Sequence, residues 1–457
     1  MKPINCIVLA AGKGTRMKSD RPKVMHKVAG RPLVGHVLTS VAAVNPAQVA
    51  LVVGPDMEMV ADQATKAGLS SYRVALQQDR LGTGHAARIG LEALGSEAVA
   101  ADSIVIVLFG DTPLIRSETI WRLAQQVEDG AAVAILGFNA AVPTGYGRLL
   151  VNDTGQVTGI REENDASDEE KKITLCNSGV MAFNSKVLSE LLPQVRADNA
   201  KGEYYLTDVV GLAAGRGLRV AVETCAEEEV MGINNRLELS RAEARMQQML
   251  REQMMLSGVT LIAPETVYFS MDTVIEPDVV IEPHVVFGPG VKVESGVVIH
   301  GFSHIEGATI GAGAQVGPFA RLRPGTALAA RSKVGNFVET KNAQVAEGAK
   351  INHLSYVGDA IVGAKANIGA GTITCNYDGF DKYVTRIGAG AFIGSNSALV
   401  APVNIADGAF VGSGSVVVRD VEADALALAR GEQVNKAGWA ARFRAMKQAA
   451  KASKTAK

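Results

Sequence analysis

The chain has 457 residues, 47% of them hydrophobic and 20% charged, with a formal net charge of −1. That is the balance of a soluble globular protein with room for two or three cores, and no global field of either sign marks it as a nucleic-acid or membrane binder. Four scattered cysteines (Cys6, Cys176, Cys225, Cys375) without a Cys-x-x-Cys pair argue against a disulfide framework or a thiolate zinc site and suit a cytoplasmic compartment.

The apolar run 4–11 is too short for a signal peptide or a membrane span and leads straight into AGKGTR. It reads instead as a first strand, 5–10, followed by strand-like runs at 49–53, 72–76, 103–109 and 132–138. Helix-length segments separate them, which predicts an α/β domain with a mostly parallel sheet, helices on both faces and ligands at the carboxyl ends of the strands. After the first strand comes LAAGKGTRMKSDRPK. Gly12 and Gly14 let the backbone approach a phosphate, and a following helix would aim its N–H groups at it. Met17 stands where a dinucleotide fingerprint needs a third glycine, and the Walker A spacing is absent, so neither of those readings applies. Arg16 and Lys23 remain as cations for a triphosphate. Gly110-Asp111 ends the fourth run, where a carboxylate is placed to hold Mg²⁺ or, alternatively, to cap a helix starting at Thr112-Pro113.

From Ile275 onward a period of six takes over. Positions 275, 281, 287, 293, 299 and 305 are aliphatic or Phe, as are 310, 316, 322, 328 and 334 after one step of five. The phase resumes at 345, 351 and 357, at 362 and 368, and from 387 to 417. Small or β-branched residues such as Val279, Ser303, Ala314, Thr326, Ala366, Ser397 and Val421 recur four places later, and 22 of the 48 glycines fall between Ile275 and Asp420. The pattern fits neither a helix nor a long alternating strand; it predicts an all-β parallel β-helix turning a corner every six residues. The break between Ile368 and Ile387 predicts a projecting loop on a binding face, and another short break falls near Lys341. His353 stands beside the first break with Tyr356 a corner away, and a neutral imidazole there suits a general base. His300 and His304 read as solvated surface residues without carboxylate partners. A β-helix that only assembles an oligomer, or a non-catalytic regulatory subunit, is also compatible with the repeat alone.

The motifs LAAGKGTRM, PKVMHK, QDRLGTGHA, GDTPL, PTGYGR, GEYYLTD and GINNR together resemble the sugar-nucleotide pyrophosphorylase family. GPFARLRPG, GNFVETK, NHLSYVGDA and NIGAGTITCNYDG resemble the left-handed β-helix acyltransferases. The resemblance implies three parts: a uridylyltransferase domain over 1–235, a linker helix over 236–256, and an acetyltransferase domain over 257–457 with a basic tail that is frayed or disordered from 440. It implies that acetyl-CoA acetylates glucosamine-1-phosphate and that UTP then uridylylates the product, with Mg²⁺ as metal and a homotrimer as assembly. Leu9, Ala10, Ala11, Gly12, Gln77, Gly82 and Thr83 would frame the uridine, with Phe109, Gly110 and Asp111 at the centre of the site. Gly147, Glu162 and Asn177 would hold the sugar, Arg16 and Lys23 the phosphates, and Asp111 and Asn234 the metal, although Asn234 could instead cap the helix after it. Arg323, Lys341, Tyr356 and Asn367 would bind the amino-sugar phosphate, with His353 as base. Ala370, Asn376, Tyr377, Ser395, Ser413 and Arg430 would contact acetyl-CoA. Two positions depart from the family pattern, Phe109 for a usual Tyr and Ser413 for a usual Ala.

Overall fold

A computed structural model describes residues 2–100 and 102–455. The chain folds as two compact units: residues up to Met254 together with Tyr268–Met271, and Met255–Val267 together with residues from Asp272 onward. Each is built around its own repeating logic.

The first unit is an α/β sandwich. Its main strands are β1 (Ile4–Leu9), β2 (Gln48–Val53), β3 (Tyr72–Leu76), β4 (Ile104–Phe109), β5 (Val133–Asn139), β6 (Gly147–Val151), β7 (Val157–Arg161), β8 (Leu175–Asn184) and β9 (Val220–Thr224). Their order is β9-β5-β8-β4-β1-β2-β3, and every pair is parallel except those made by β8. The hairpin β6–β7 attaches through β8, with Gly147 opposite Asn177. Alternate residues of β1 enter opposite cores: Cys6 and Val8 pack with helix Leu33–Ala43, and Ile7 and Leu9 pack with helix Thr83–Leu94. Both faces are therefore covered, which is why these strands read as continuous apolar runs. Strand order reverses between β1 and β4, so their carboxyl ends open a crevice, the place where such sheets bind ligands.

His36 on helix Leu33–Ala43 is buried, and its Nε2–H donates to the carbonyl of Val28 at 2.8 Å. Burial first, and then the Arg31 charge, lower its pKa from 6.5 to about 4, against the hydrogen bonds that raise it. Because the folded pKa lies below the unfolded one, stability from the neutral ring is intact above pH 6.5 and lost as pH falls toward 4. That loss is worth about 3 kcal/mol. We expect urea unfolding of the first unit, followed by Trp121 in a Trp439→Phe background, to lose less stability between pH 7 and 4 in His36→Gln than in the parent. Equal slopes would contradict this.

The second unit is a left-handed parallel β-helix of hexapeptide repeats. Successive coils pair residues 18 apart, as in Val274↔Lys292, or 17 apart, as in Lys292↔Thr309, where the sequence phase stepped by five. Every aliphatic or Phe position of the six-residue phase is buried, as are the small residues four places on. At the short break near Lys341 the coil continues. Thr340 stays in register between Leu322 and Val357 and is fully buried, and Thr374 does the same beside Leu399. Both were invisible to a count of aliphatics. Only the second break projects: Val362 pairs with Ile387, a coil of 25 residues that extrudes residues 376–384. Of the two readings of the tail, a frayed helix or disorder, residues Trp439–Thr455 take the helical one, and 456–457 lie outside the described residues.

Candidate active sites

The crevice between β1 and β4 holds a cavity of about 350 Å³. Its walls include Leu9, Ala10, Ala11, Gly12, Lys23, Gln77, Gly82, Thr83, Phe109, Asp111 and Asn234. Gly110 lies beneath, its N–H bonded to the carbonyl of Leu9 at 2.9 Å. One wall is clamped from a distance. Gly84 donates to the carbonyl of Tyr204 at 2.7 Å, the Thr83 hydroxyl accepts from the N–H of Leu206 at 3.0 Å, and Gly82 has φ 113° and no room for a Cβ against Tyr204. Buried Gln77 donates to the carbonyl of Gly82 at 3.3 Å, which orients its amide along the cavity edge.

The phosphate loop differs from expectation. No α-helix follows it; a single 3-10 turn, Thr15–Met17, starts from Gly14 at φ 63°. The polar run before Pro22 lacks the apolar periodicity a helix would need, so no α-helix grows directly out of the loop. Gly14 is required for another reason: a Cβ there would meet the Lys23 side chain at 2.5 Å. Met17 is buried, whereas Arg16 stays exposed on the turn and does not line the cavity.

Lys23 Nζ is paired with the Asp111 carboxylate and donates to Asn234 Oδ1 at 3.2 Å. One cation thus sits between a carboxylate oxygen and an amide oxygen at the strand ends. These are hard oxygen donors, too few to enclose an ion alone, and this is the donor set Mg²⁺ uses when phosphates supply the rest. The residues fit that metal. Neither alternative capping role holds: the helix after Asp111 begins only at Ser117, and it is Asn235 whose Oδ1 accepts from the N–H of Glu238 at 3.0 Å to cap helix Arg236–Leu256.

Gly147, Glu162 and Asn177 form a second cluster. Gly147 pairs with Asn177, a Cβ at Gly147 would touch the Glu162 carboxylate at 3.4 Å, and Glu162 accepts from the Thr207 hydroxyl at 3.1 Å. Burial raises the Glu162 pKa against that hydrogen bond. A bulge in β8 produces the arrangement. Its register shifts between Asn177 and Met181, Asn177 Oδ1 accepts from the N–H of Gly179 at 3.0 Å, and Gly179 at φ 89° leaves space for the Phe109 ring. Arg80 and Glu203 also line the cavity and were not anticipated. Arg80 Nε donates to the carbonyl of Ala11 at 2.5 Å, a contact no local motif announces.

On the second unit the coil stacks residues that are distant in sequence. Asn336 lies beside His353, and the same corner of later coils carries Ala370, Ser395 and Ser413, with Arg430 donating to the carbonyl of Ser413 at 2.7 Å. The adjoining face carries Glu339 beside Tyr356, and the next corner carries Lys341. His353 is exposed, and its Nδ1 contacts Asn336 Oδ1. An amide oxygen accepts, so Nδ1 bears the proton and Nε2 keeps a free lone pair. Arg323 is held by Glu339 at 2.8 Å. The Lys382 ammonium faces Lys341 and lowers its pKa, an arrangement of like charges that suits an anionic ligand. Asn367 stacks between Lys350 and Phe392, three residues before Ala370 on the same coil. Asn376 is buried and Tyr377 exposed at the base of the projecting loop. Asn336 and Lys382 were missed by sequence reasoning; the one is a coil below His353, the other inside the inserted loop. His300, unlike the sequence expectation, has a carboxylate partner, because the 18-residue coil sets its Nδ1 2.9 Å from Glu282.

Residues 6–173 match the family model described as a MobA-like NTP transferase domain, and residues 272–307 match bacterial transferase hexapeptide (six repeats). The chain is 54% identical over 439 residues to the "Bifunctional protein GlmU" of Azorhizobium caulinodans, covering 96% of this chain and 97% of that one. It is 55% identical over 453 residues to the protein of that name from Maricaulis maris, covering 98% of each. With the same-named protein of Rhodospirillum rubrum it shares 55% over 442 residues, 96% of this chain and 97% of the other.

Proposed function

Because the chain belongs to the family of bifunctional GlmU proteins, we infer that it carries two transferase activities on one polypeptide. One acetylates glucosamine-1-phosphate with acetyl-CoA; the other transfers UMP from UTP to N-acetylglucosamine-1-phosphate. The product, UDP-N-acetylglucosamine, is a bacterial cell-wall precursor. The observation that carries this reading is the presence on one chain of a nucleotide-sized crevice with Lys23, Asp111 and Asn234 converging, and of a β-helix face with His353 and a cation pair.

In the first step the amine of glucosamine-1-phosphate gives a proton to Nε2 of His353 and attacks the thioester carbonyl, and the thiolate of coenzyme A leaves. Lys341 and Lys382 hold the phosphate, with Arg323 shared between it and Glu339. The column from His353 to Arg430 supports an extended acyl donor: four coil steps at about 4.8 Å each give roughly 19 Å. In the second step a phosphate oxygen of N-acetylglucosamine-1-phosphate attacks the α-phosphorus of UTP in line, and pyrophosphate leaves. Leu9–Gly12, Gln77, Gly82 and Thr83 frame the uridine, and Gly147, Glu162 and Asn177 receive the sugar hydroxyls. Lys23, and Arg16 once its exposed side chain swings in, neutralise the phosphates. Mg²⁺ held by Asp111 and Asn234 would supply further charge neutralisation at the triphosphate.

Omission assays on the full chain test the pair of activities. Without UTP, N-acetylglucosamine-1-phosphate and free coenzyme A should accumulate. Without acetyl-CoA, supplied N-acetylglucosamine-1-phosphate should still be uridylylated. Failure of either arm removes that activity.

We further propose a cytoplasmic homotrimer assembled through the β-helix. Among the described residues no helix is long and apolar enough to cross a membrane. Acetyl transfer should fall with dilution into monomer while uridylyl transfer persists, both followed alongside light scattering. A monomer with full acetyl transfer would contradict a dependence of that activity on assembly.

A further inference from the structure

We propose that Asp359 is a positioning residue that sets the projecting loop 376–384 against the acetyl-CoA site. The inference rests on the acetyl-transfer reading above.

Asn342, Asp359 and Asn376 are spaced 17 residues apart, one coil each, so the β-helix stacks them at a single corner. Asp359 is 8% exposed and Asn376 is 8% exposed, in a place where an unmet polar group is costly. The Asp359 carboxylate meets both neighbours. Oδ1 accepts from Asn342 Nδ2 at 2.7 Å, and Oδ2 accepts from Asn376 Nδ2. Only an acceptor on both sides satisfies two facing amide donors, which is what a carboxylate supplies and an amide does not.

The loop beyond Asn376 is organised by itself. The Asp378 carboxylate accepts from the N–H groups of Phe380 and Asp381, each at 2.8 Å, and from the Tyr383 hydroxyl at 3.1 Å. Tyr383 N–H then closes back on the carbonyl of Asn376 at 2.9 Å. A self-capped loop moves as a body, and its aim is set at the base, where the Asn376 side chain is tied inward to Asp359. It follows that Asn376 meets acetyl-CoA through its backbone, while the exposed Tyr377, whose hydroxyl donates to the carbonyl of Gly379 at 2.5 Å, offers the ligand the face of its ring.

Two other roles are open to Asp359 and are separable. Its φ of 46° is left-handed, a region that Asp and Asn tolerate better than most residues, so it could be present for the backbone alone. Lys341 and Lys382 also act on it electrostatically, so it could serve the amino-sugar phosphate instead.

The test is Asp359→Asn in the full-length protein. Asn keeps the backbone tolerance but turns an NH₂ toward one of the two amides. KM for acetyl-CoA should rise at least about tenfold, the weight of a hydrogen bond to a charged group. KM for glucosamine-1-phosphate should rise by no more than KM for acetyl-CoA does, because Lys382 rides on the same loop, and the uridylyl-transfer rate should stay within about twofold of the parent, since its residues belong to the other unit. Trypsin cleavage after Lys382 should accelerate, and adding Asn376→Asp should slow it again by restoring a donor–acceptor pair. If Asp359→Asn does not fold, Asn376→Ala gives the same cleavage readout. A rise in KM for glucosamine-1-phosphate alone, or unchanged cleavage and unchanged KM for acetyl-CoA, overturns the proposal. A parent protein that transfers no acetyl group at all would fault the functional reading, and the cleavage rates would still decide the tie.

Discussion

Replacing Asp111 or Asn234 with Ala should lower uridylyl transfer by roughly 10²–10³-fold or more, the scale set by losing a preorganised charge-stabilising group. Acetyl transfer by the same preparation should stay near normal. Asp111 and Asn234 both meet the Lys23 ammonium at the carboxyl ends of β1 and β4, so either change removes an oxygen from the place proposed for the triphosphate. Neither residue caps a helix, so the loss is not expected to spread through the fold. Both rates should be measured on one purified batch with circular dichroism as the control for folding. Parallel loss of both activities in folded protein would contradict separate sites.

His353→Ala should cost acetyl transfer on the order of 10²–10⁴-fold, the usual contribution of a general base. The side chain is exposed and contacts Asn336, so little stability depends on it. Asn336→Ala should give a smaller loss, because it frees the ring to rotate and to change tautomer without removing the base. Uridylyl transfer should survive both changes. Acetylation within a few-fold of the parent in His353→Ala would remove that residue from the mechanism.

Much of this was legible in the sequence because periodicity and strand ends are local signals. Ile275, Ile281 and Phe287 announce the coil by spacing alone, and the first, second and fourth strands announce themselves as apolar runs. What the sequence hid depends on the third dimension. β8 is antiparallel and bulged at Asn177–Met181, so its alternation is broken where it aims Asn177. Thr340 and Thr374 hold core positions with polar side chains, and their hydroxyls are used internally: Thr340 Oγ1 lies 3.1 Å from Thr326 Oγ1, and Thr374 Oγ1 donates to the carbonyl of Gly358 at 3.0 Å. The pairs Glu282–His300 and Asn336–His353 become neighbours only once the coil length is fixed at 18 or 17 residues. The two cations proposed for the triphosphate illustrate the reverse case. Lys23 is where the motif implies, whereas Arg16 lies on an exposed turn because no helix follows the loop.

Two independent sites on one chain that act in sequence can be separated and recombined. The direct measurement mixes Asp111→Ala protein with His353→Ala protein and supplies glucosamine-1-phosphate, acetyl-CoA, UTP and Mg²⁺. Neither variant alone should yield UDP-N-acetylglucosamine at more than a trace, and the mixture should restore it, with N-acetylglucosamine-1-phosphate passing through solution. A mixture that stays silent, while each variant retains its remaining single activity, would contradict the account.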